Sequence, residues 1–347
     1  MTDPVGVKVE ALVAWLAERV ELVAPLSVEM IIGGRSNLTY KLTDAAGTSW
    51  VLRRPPTGNV LESAHDVLRE QHIMGSLAAS AIPVPVVVDA CDDRDEIGAP
   101  FFVMEFVDGL AIRDVAQAEA LSSAVRHDVS RNLMKVMAEL HRLDPADVGL
   151  DTLSRGQDYV ARQLKRWERQ FTAITTRSVP LMGEVHQRLL AQVPPQESVG
   201  IVHGDYRLDN CLVSEAGDVM AVLDWELSTL GDTRADLGQT LVYWSAAGDS
   251  LQALAGSPTV AEGFASREEI VEWYESESGQ AADHLGFFVA FANWRLACIL
   301  EGVYTRYSAG SMGDSADVYI DGFGRTVLEL LGRANAILDG ADPIGSN

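Results

Sequence analysis

The feature that most constrains the fold is a loop-and-ribbon pattern in the second half of the chain. It begins with His-Gly-Asp at His203, and Asp205 is followed five residues later by Asn210. Asp224 comes fourteen residues after that asparagine, beyond two apolar stretches that a turn separates. This spacing predicts a loop that leads into a two-stranded ribbon, with both ends returning to one cleft. The three side chains should therefore meet.

The chemistry of these side chains favours phosphoryl transfer from a nucleotide. That reaction needs a carboxylate that orients, and can deprotonate, a hydroxyl nucleophile, and we assign this role to Asp205. It also needs oxygen ligands for magnesium, which Asn210 and Asp224 would supply. A metal-dependent phosphohydrolase built on Asp205, Asp209 and Asp224 is an alternative, but it leaves the N-terminal half of the chain unexplained.

Composition sets broad limits on the partners. The chain has 347 residues, enough for two lobes, and 47% of them are hydrophobic. A formal net charge of −23 argues against a nucleic-acid partner and could steer a cationic substrate. No run approaches the roughly 18 apolar residues of a membrane span, and the N-terminus lacks the pattern of a signal peptide. We therefore expect a cytoplasmic protein with no membrane partner.

The order of the predicted elements indicates an α+β protein with two lobes. Extended runs at 27–32, 38–43 and 49–53 are separated by turn residues, as in antiparallel hairpins. A helical pattern follows at 62–79, and two further extended runs lie at 86–89 and 101–106. We expect a five-stranded antiparallel sheet with one inserted helix. This nucleotide-binding lobe should cover residues 1–106, and a mainly helical lobe with the catalytic loop and substrate site should cover 107–347.

These motifs resemble the aminoglycoside phosphotransferase-like family of small-molecule kinases, which share the protein-kinase fold. His-Gly-Asp-(four residues)-Asn at 203–210 matches the family's catalytic loop, and Asp224-Trp225-Glu226 stands where protein kinases carry Asp-Phe-Gly. Within the family, the chain is most similar to the kinase-like domains associated with acyl-CoA dehydrogenases. Three stretches indicate this similarity: Gly33–Tyr40, Trp50–Pro56 and Asp224–Leu227. The resemblance implies ATP as phosphate donor, with GTP not excluded, and Mg²⁺ as the metal.

The resemblance also suggests where the phosphates of the nucleotide would bind. Gly34, Ser36 and Asn37 lie between the first two strands, where backbone N–H groups could cover the phosphates, although an ordinary hairpin turn has the same pattern. Arg53 takes the place of the lysine expected on the third strand, and its planar guanidinium can also hold phosphate oxygens. Glu70 on the inserted helix is the companion acid that would pair with Arg53.

The resemblance assigns supporting roles to further residues. Glu105 and Phe106, at the end of the fifth strand, are expected to offer main-chain groups to the adenine edge. His203 is expected to brace the loop backbone. Asp236 is expected to cap a helix and to brace the catalytic loop from below.

The class of acceptor can be predicted, whereas the charge of the acceptor and the choice between an enzyme and a pseudokinase stay open. Only eleven residues separate Asp224 from Asp236 and no Ala-Pro-Glu follows, so a peptide acceptor is disfavoured and a small-molecule hydroxyl is expected. Net charge favours a cationic, aminoglycoside-type acceptor, whereas the family resemblance favours an anionic, hydroxyacyl-CoA-type acceptor. The arginine at position 53 leaves a catalytically weak, nucleotide-binding pseudokinase as an alternative to an enzyme. The oligomeric state cannot be predicted.

Overall fold

The computed structural model describes residues 3–31, 37–57, 66–154, 156–197, 199–249, 257–308 and 317–345. The strands of these residues include the five predicted for the N-terminal half and the two of the predicted ribbon, together with three that were not predicted. They are β1 (Ser27–Met30), β2 (Leu38–Thr43), β3 (Ser49–Arg54), β4 (Val87–Cys91), β5 (Phe101–Glu105), β6 (Leu110–Ala111), β7 (Gly200–Val202), β8 (Cys211–Val213), β9 (Val219–Val222) and β10 (Thr229–Gly231). The helices hold most of the remaining chain. They are α1 (Val9–Ala17), α2 (Val67–Leu77), α3 (Arg94–Ile97), α4 (Val115–Glu119), α5 (Ser123–Arg142), α6 (Tyr159–Ile174), α7 (Pro180–Ala191), α8 (Arg234–Tyr243), α9 (Arg267–Ser278), α10 (Leu285–Ser308) and α11 (Asp317–Leu338).

The first five strands form one antiparallel sheet in the order β1-β2-β3-β5-β4. Side chains alternate between its faces, as expected for extended chains. Trp50 and Leu52 of β3 join a small core beneath α1, where Trp15 packs edge-on against Phe101. Val51 joins the larger core on the opposite face. Because Arg53 lies two residues further along β3, it shares the face of Val51 and points toward α2.

The helix α2 covers this second face of the sheet. Its buried residues recur at helical spacing and include Ile73 and Met74, with Glu70 among them. Asp66 caps the helix by accepting a hydrogen bond from the Arg69 N–H. The predicted helix at 62–79 is therefore confirmed within the described residues, with a start at Val67. The short α3 between β4 and β5 was not predicted.

The larger core lies among the helices of the second lobe. Helix α10 packs against α6, α7, α8 and α11, and it is apolar around most of its surface. By length and composition alone α10 could cross a membrane, but 83% of its most apolar window is buried inside the protein. That degree of burial is what a central helix of a globular core shows.

Two small sheets carry the loop-and-ribbon segment. Strands β8 and β9 form the predicted ribbon, β6 adds to its edge, and β7 pairs with β10. The Leu223 N–H donates to the Asn210 carbonyl at 2.8 Å and closes the two ends of the ribbon together. The sequence therefore predicted this local geometry, and the α+β kinase-like architecture is confirmed. The lobe boundary at residues 106 and 107 stays a prediction.

Candidate active site

The catalytic loop follows β7 and depends on a glycine. Gly204 has a φ of +83°, a conformation that side chains disfavour. A Cβ at this position would also lie 2.8 Å from the carbonyl oxygen of Leu227. Only glycine therefore allows the loop to turn this closely past the segment that follows Asp224.

Asp236 holds the same turn from the first turn of α8. Its carboxylate accepts hydrogen bonds from the backbone N–H groups of His203, at 2.6 Å, and Gly204, at 2.8 Å. Burial alone would raise the pKa of Asp236, but the hydrogen bond from His141 and these other contacts outweigh burial and lower it. The expectation that Asp236 caps the helix is wrong, because Thr233 occupies the N-cap position. The predicted position of Asp236 beneath the catalytic loop agrees with these hydrogen bonds to the loop backbone.

His203 lies behind the loop with both ring nitrogens engaged. Its Nδ1 accepts a hydrogen bond from the Asp205 N–H at 3.1 Å, so Nε2 carries the proton and donates to the Leu223 carbonyl at 3.0 Å. Burial lowers the pKa of His203, which favours this neutral form. The ring also packs against Trp225. His203 therefore connects the loop to the end of the ribbon and is not placed as a base.

The carboxylate of Asp205 is surrounded by hydrogen-bond donors. Its Oδ1 accepts from Gln239 Nε2 at 2.7 Å. Its Oδ2 accepts from Asn210 Nδ2 at 2.9 Å and from Arg207 Nε at 3.2 Å. The Asp205 side chain is 20% exposed, so it is not fully shielded from solvent. A carboxylate held in this way is suited to orient a hydroxyl group.

Asn210 and Asp224 present a donor set that fits a hard divalent cation. The side-chain nitrogen of Asn210 donates to the main chain and side chain of Asp205, which leaves its oxygen for a metal. Asp224 has a φ of +68° and a partly exposed carboxylate. Within the described ranges no group of three or more His, Cys, Asp or Glu side chains forms a metal site. A cation here would therefore take its remaining ligands from phosphates and water, as magnesium commonly does.

Arg53 is shared by three carboxylates. Its guanidinium lies 2.7 Å from Glu70, 2.5 Å from Asp224 and 4.0 Å from Glu226. Burial raises the pKa of Glu70 to about 7, while the nearby charge of Arg53 acts in the opposite direction. Arg53 itself stays charged, since three carboxylates offset the cost of its burial and raise its pKa. The predicted Arg53–Glu70 pair is thus present. Arg53 also pairs with Asp224, a predicted metal ligand.

The other predicted nucleotide residues have mixed outcomes. Asn37 is buried and donates to Glu226 at 3.2 Å, so it joins the acidic cluster. Gly34 and Ser36 lie outside the described residues. The N–H groups of Glu105 and Phe106 donate to the carbonyl groups of Val86 and Ser49 within the sheet, so these N–H groups are not free to bind an adenine ring.

Several residues at the site were not predicted for it. Arg207 forms ion pairs with Asp205 at 3.2 Å and Asp209 at 3.1 Å. Its position two residues after the catalytic aspartate could have indicated this. Gln239 and Arg295 reach the loop from α8 and α10, and no local pattern marks them. Arg295 is buried and donates to the Gly204 carbonyl at 2.5 Å.

Known proteins are similar to this chain in sequence and in fold. The phosphotransferase enzyme family matches residues 27–270. Acyl-CoA dehydrogenase family member 10 of Mus musculus is 36% identical over 290 residues, which cover 82% of this chain. The matched region is only 27% of that relative's own length.

Solved structures show the same fold. The crystal structure of a candidate aminoglycoside phosphotransferase from Ralstonia eutropha JMP134 has a TM-score of 0.80 and 32% identity, with 97% of this chain and 99% of the other covered. A thermostable mutant of aminoglycoside phosphotransferase APH(4)-Ia, bound to ADP and hygromycin B, has a TM-score of 0.60 and 15% identity, with 95% and 98% covered. This chain therefore belongs to the phosphotransferase enzyme family and has the kinase-like fold of the aminoglycoside phosphotransferases.

Proposed function

We propose that the protein is a magnesium-dependent O-phosphotransferase that moves the γ-phosphate of ATP to a hydroxyl group of a small molecule. The observation that carries the proposal is the convergence of Asp205, Asn210, Asp224 and Arg53 at one cleft. Asn210 donates to Asp205, and Arg53 joins Asp224 to the sheet that would bind the nucleotide. Family membership supports the same class of reaction.

The proposed mechanism depends on positioning and on neutralisation of charge. Asp205 would accept a hydrogen bond from the acceptor hydroxyl and receive its proton as the new phosphate ester forms. Held by Asn210 and Asp224, Mg²⁺ would neutralise charge on the phosphates. Arg53, freed in part from Asp224, would contact phosphate oxygens while Glu70 keeps its guanidinium in place. Arg207 lies beside Asp205 and is available to the transferred phosphate.

The segment after Asp224 supports a small acceptor. It forms a short turn at Trp225–Leu227, pairs as β10 with β7, and enters α8 at Arg234. This compact course occupies the residues that a protein kinase would need for a peptide-binding platform. A segment this short favours a small-molecule acceptor over a polypeptide.

Arginines beside this segment favour an anionic acceptor. Arg69 donates to the carbonyl of Glu226 at 3.3 Å and also to that of Ser228. From α6, Arg162 donates to the Leu230 carbonyl at 3.4 Å. Carbonyl groups carry no net charge, so these hydrogen bonds do not neutralise the positive charges of Arg69 and Arg162.

Arg166 adds a further positive charge one helical turn beyond Arg162. No carboxylate in the described part of the chain forms an ion pair with it, and it contacts the ring of Trp167. Partial burial, followed by repulsion from Arg295, lowers the pKa of Arg166, while Tyr159 and Glu226 act in the opposite direction. In a chain with a net charge of −23, such an excess of local positive charge suits an acceptor of opposite sign.

We therefore favour a hydroxyacyl-CoA-type acceptor over an aminoglycoside-type acceptor. The mouse relative, an acyl-CoA dehydrogenase family member, supports this choice. The net charge of the chain and the fold neighbour that binds hygromycin B support the alternative. The two acceptors differ in sign of charge, which makes them experimentally separable.

A coupled assay of ATP consumption tests the proposal. Purified protein with Mg²⁺ is screened against hydroxyacyl-CoA thioesters and aminoglycosides, with Asp205→Asn as the blank. We expect acceptor-dependent turnover with the thioesters, and Arg166→Gln should raise the KM for the acceptor without changing the KM for ATP. Turnover with aminoglycosides alone would reverse the choice of acceptor. Nucleotide binding without turnover on either set would favour a pseudokinase.

A further inference from the structure

A single side-chain amide connects Asp205 to a buried guanidinium. Gln239 donates its Nε2 to Asp205 Oδ1 at 2.7 Å. Arg295 donates Nη1 to Gln239 Oε1 at 2.5 Å and Nη2 to the Gly204 carbonyl at 2.5 Å. Arg295 and Gln239 are 5% and 6% exposed, so water competes little for these contacts. The chain of contacts thus runs from the core of the helical lobe to the catalytic loop.

The charge of Arg295 has no direct counter-ion in the described part of the molecule. None of the carboxylates there forms an ion pair with it, and its Nε lacks a hydrogen-bond partner. The guanidinium instead lies 5.2 Å from the ring centre of Trp167. A buried charge without a partner is costly. The carboxylate that it reaches through Gln239 is that of Asp205, and the surrounding low dielectric strengthens this attraction.

The geometry allows only one orientation of the Gln239 amide. A guanidinium can donate hydrogen bonds but cannot accept them, so Gln239 must turn its oxygen toward Arg295. Its NH₂ group must then face Asp205. Arg295 therefore fixes the NH₂ group of Gln239 as the donor to Asp205 Oδ1. Both residues lie on helices that are far from the loop in sequence.

We propose that Arg295 and Gln239 are positioning residues for phosphoryl transfer, holding Asp205 in the orientation that the acceptor hydroxyl requires. This inference rests on the proposed function. Neither residue would touch the nucleotide or the acceptor. They act through Asp205, so they should affect the chemical step and leave nucleotide binding unchanged.

Two substitutions separate positioning from folding. Gln239→Glu keeps an oxygen for Arg295 but has no N–H for Asp205, whereas Gln239→Leu removes both contacts. Both should lower kcat for ATP turnover by about 100-fold, the size of effect that a small misplacement of a catalytic group produces. The KM for ATP should not change. Asn293→Leu is the matched control, because Asn293 is buried on the same helix as Arg295 and, among the described residues, its side chain donates only to the Val289 carbonyl. It should keep full activity.

A double-mutant cycle and crystal structures complete the test. In an Asp205→Asn background, adding Gln239→Glu should cause no further loss, because both substitutions remove the same function. Crystal structures should show the Asp205 carboxylate displaced in Gln239→Glu and unchanged in Asn293→Leu. An unmoved carboxylate together with an unchanged kcat would overturn the inference. If wild type transfers no phosphate at all but the carboxylate still moves, the proposed function fails while the positioning role stands.

Discussion

At the scale of single residues, Arg53 joins the sheet to the catalytic segment. It contacts Glu70 on α2 and Asp224 at the end of the ribbon, and the side chain of Glu70 is only 2% exposed. Loss of Arg53 would leave Glu70 buried without its counter-ion. The stability of the fold and, in the proposed mechanism, the binding of nucleotide would therefore depend on the same guanidinium.

A paired substitution separates these two effects. Arg53→Met should lower the free energy of unfolding by about 3 kcal/mol, because it leaves an unpaired buried carboxylate. It should also weaken ADP binding about tenfold, equivalent to about 1.4 kcal/mol. Adding Glu70→Met should restore stability but not ADP binding. Urea denaturation measures stability, and calorimetric titration measures ADP binding. If ADP binding recovers together with stability in the double variant, the result argues against contact between Arg53 and phosphate.

Gly204 is a second single residue on which the site depends. Gly204→Ala places a Cβ 2.8 Å from the Leu227 carbonyl in a backbone conformation with positive φ. We expect a loss of more than about 1 kcal/mol in unfolding free energy and a large loss of kcat. Gly98→Ala is the control, since Gly98 also has positive φ but, apart from its chain neighbours, no atom of the described residues lies within 4 Å of its added Cβ. Gly98→Ala should lose a similar amount of unfolding free energy from its backbone conformation, but it should keep its activity. Equal activities of Gly204→Ala and Gly98→Ala would refute the steric argument.

At the scale of secondary-structure elements, α8 supports the catalytic loop with two side chains. Asp236 in its first turn binds the loop backbone, and Gln239, about one turn further along, binds Asp205. Helix α5 contributes His141, which donates to Asp236 at 3.2 Å. The loop is therefore fixed by packed helices, and its own sequence supplies only part of its rigidity.

The contribution of Asp236 should depend on pH. Its pKa is lowered from an ordinary value of 3.8, so its ionised form stabilises the fold above that pH. This stabilisation is lost as the pH falls below 3.8 and through the lowered pKa. Asp236→Asn should therefore be less stable than wild type by about 3 kcal/mol at pH 7, with a smaller difference at pH 3. Exposed Asp151→Asn should match wild type throughout, and a pH-independent difference for Asp236→Asn would contradict this account.

At the scale of the whole molecule, the sequence predicted the elements that carry local signals. Alternation along β3 placed Arg53 correctly on the face of Val51, and the spacing from Asp205 to Asp224 predicted the ribbon that brings them together. Gln239 and Arg295 could not be predicted, since they lie 34 and 91 residues from the loop atoms that they contact. The position of Asp236 under the loop was predicted, but its helix begins at a different residue. Tertiary packing of α8 and α10 decides these contacts.

In the proposed reaction, this site transfers phosphate from ATP to a hydroxyl group. The most direct measurement is ³¹P NMR of a reaction that contains the protein, ATP, Mg²⁺ and a hydroxyacyl-CoA thioester. We predict a new phosphate-ester signal that grows with ADP, and that is absent with Asp205→Asn or with a chelator of Mg²⁺. The proposed reaction would be contradicted if ATP stays unchanged with every acceptor tested. It would also be contradicted if phosphate ester formation persists in Asp205→Asn.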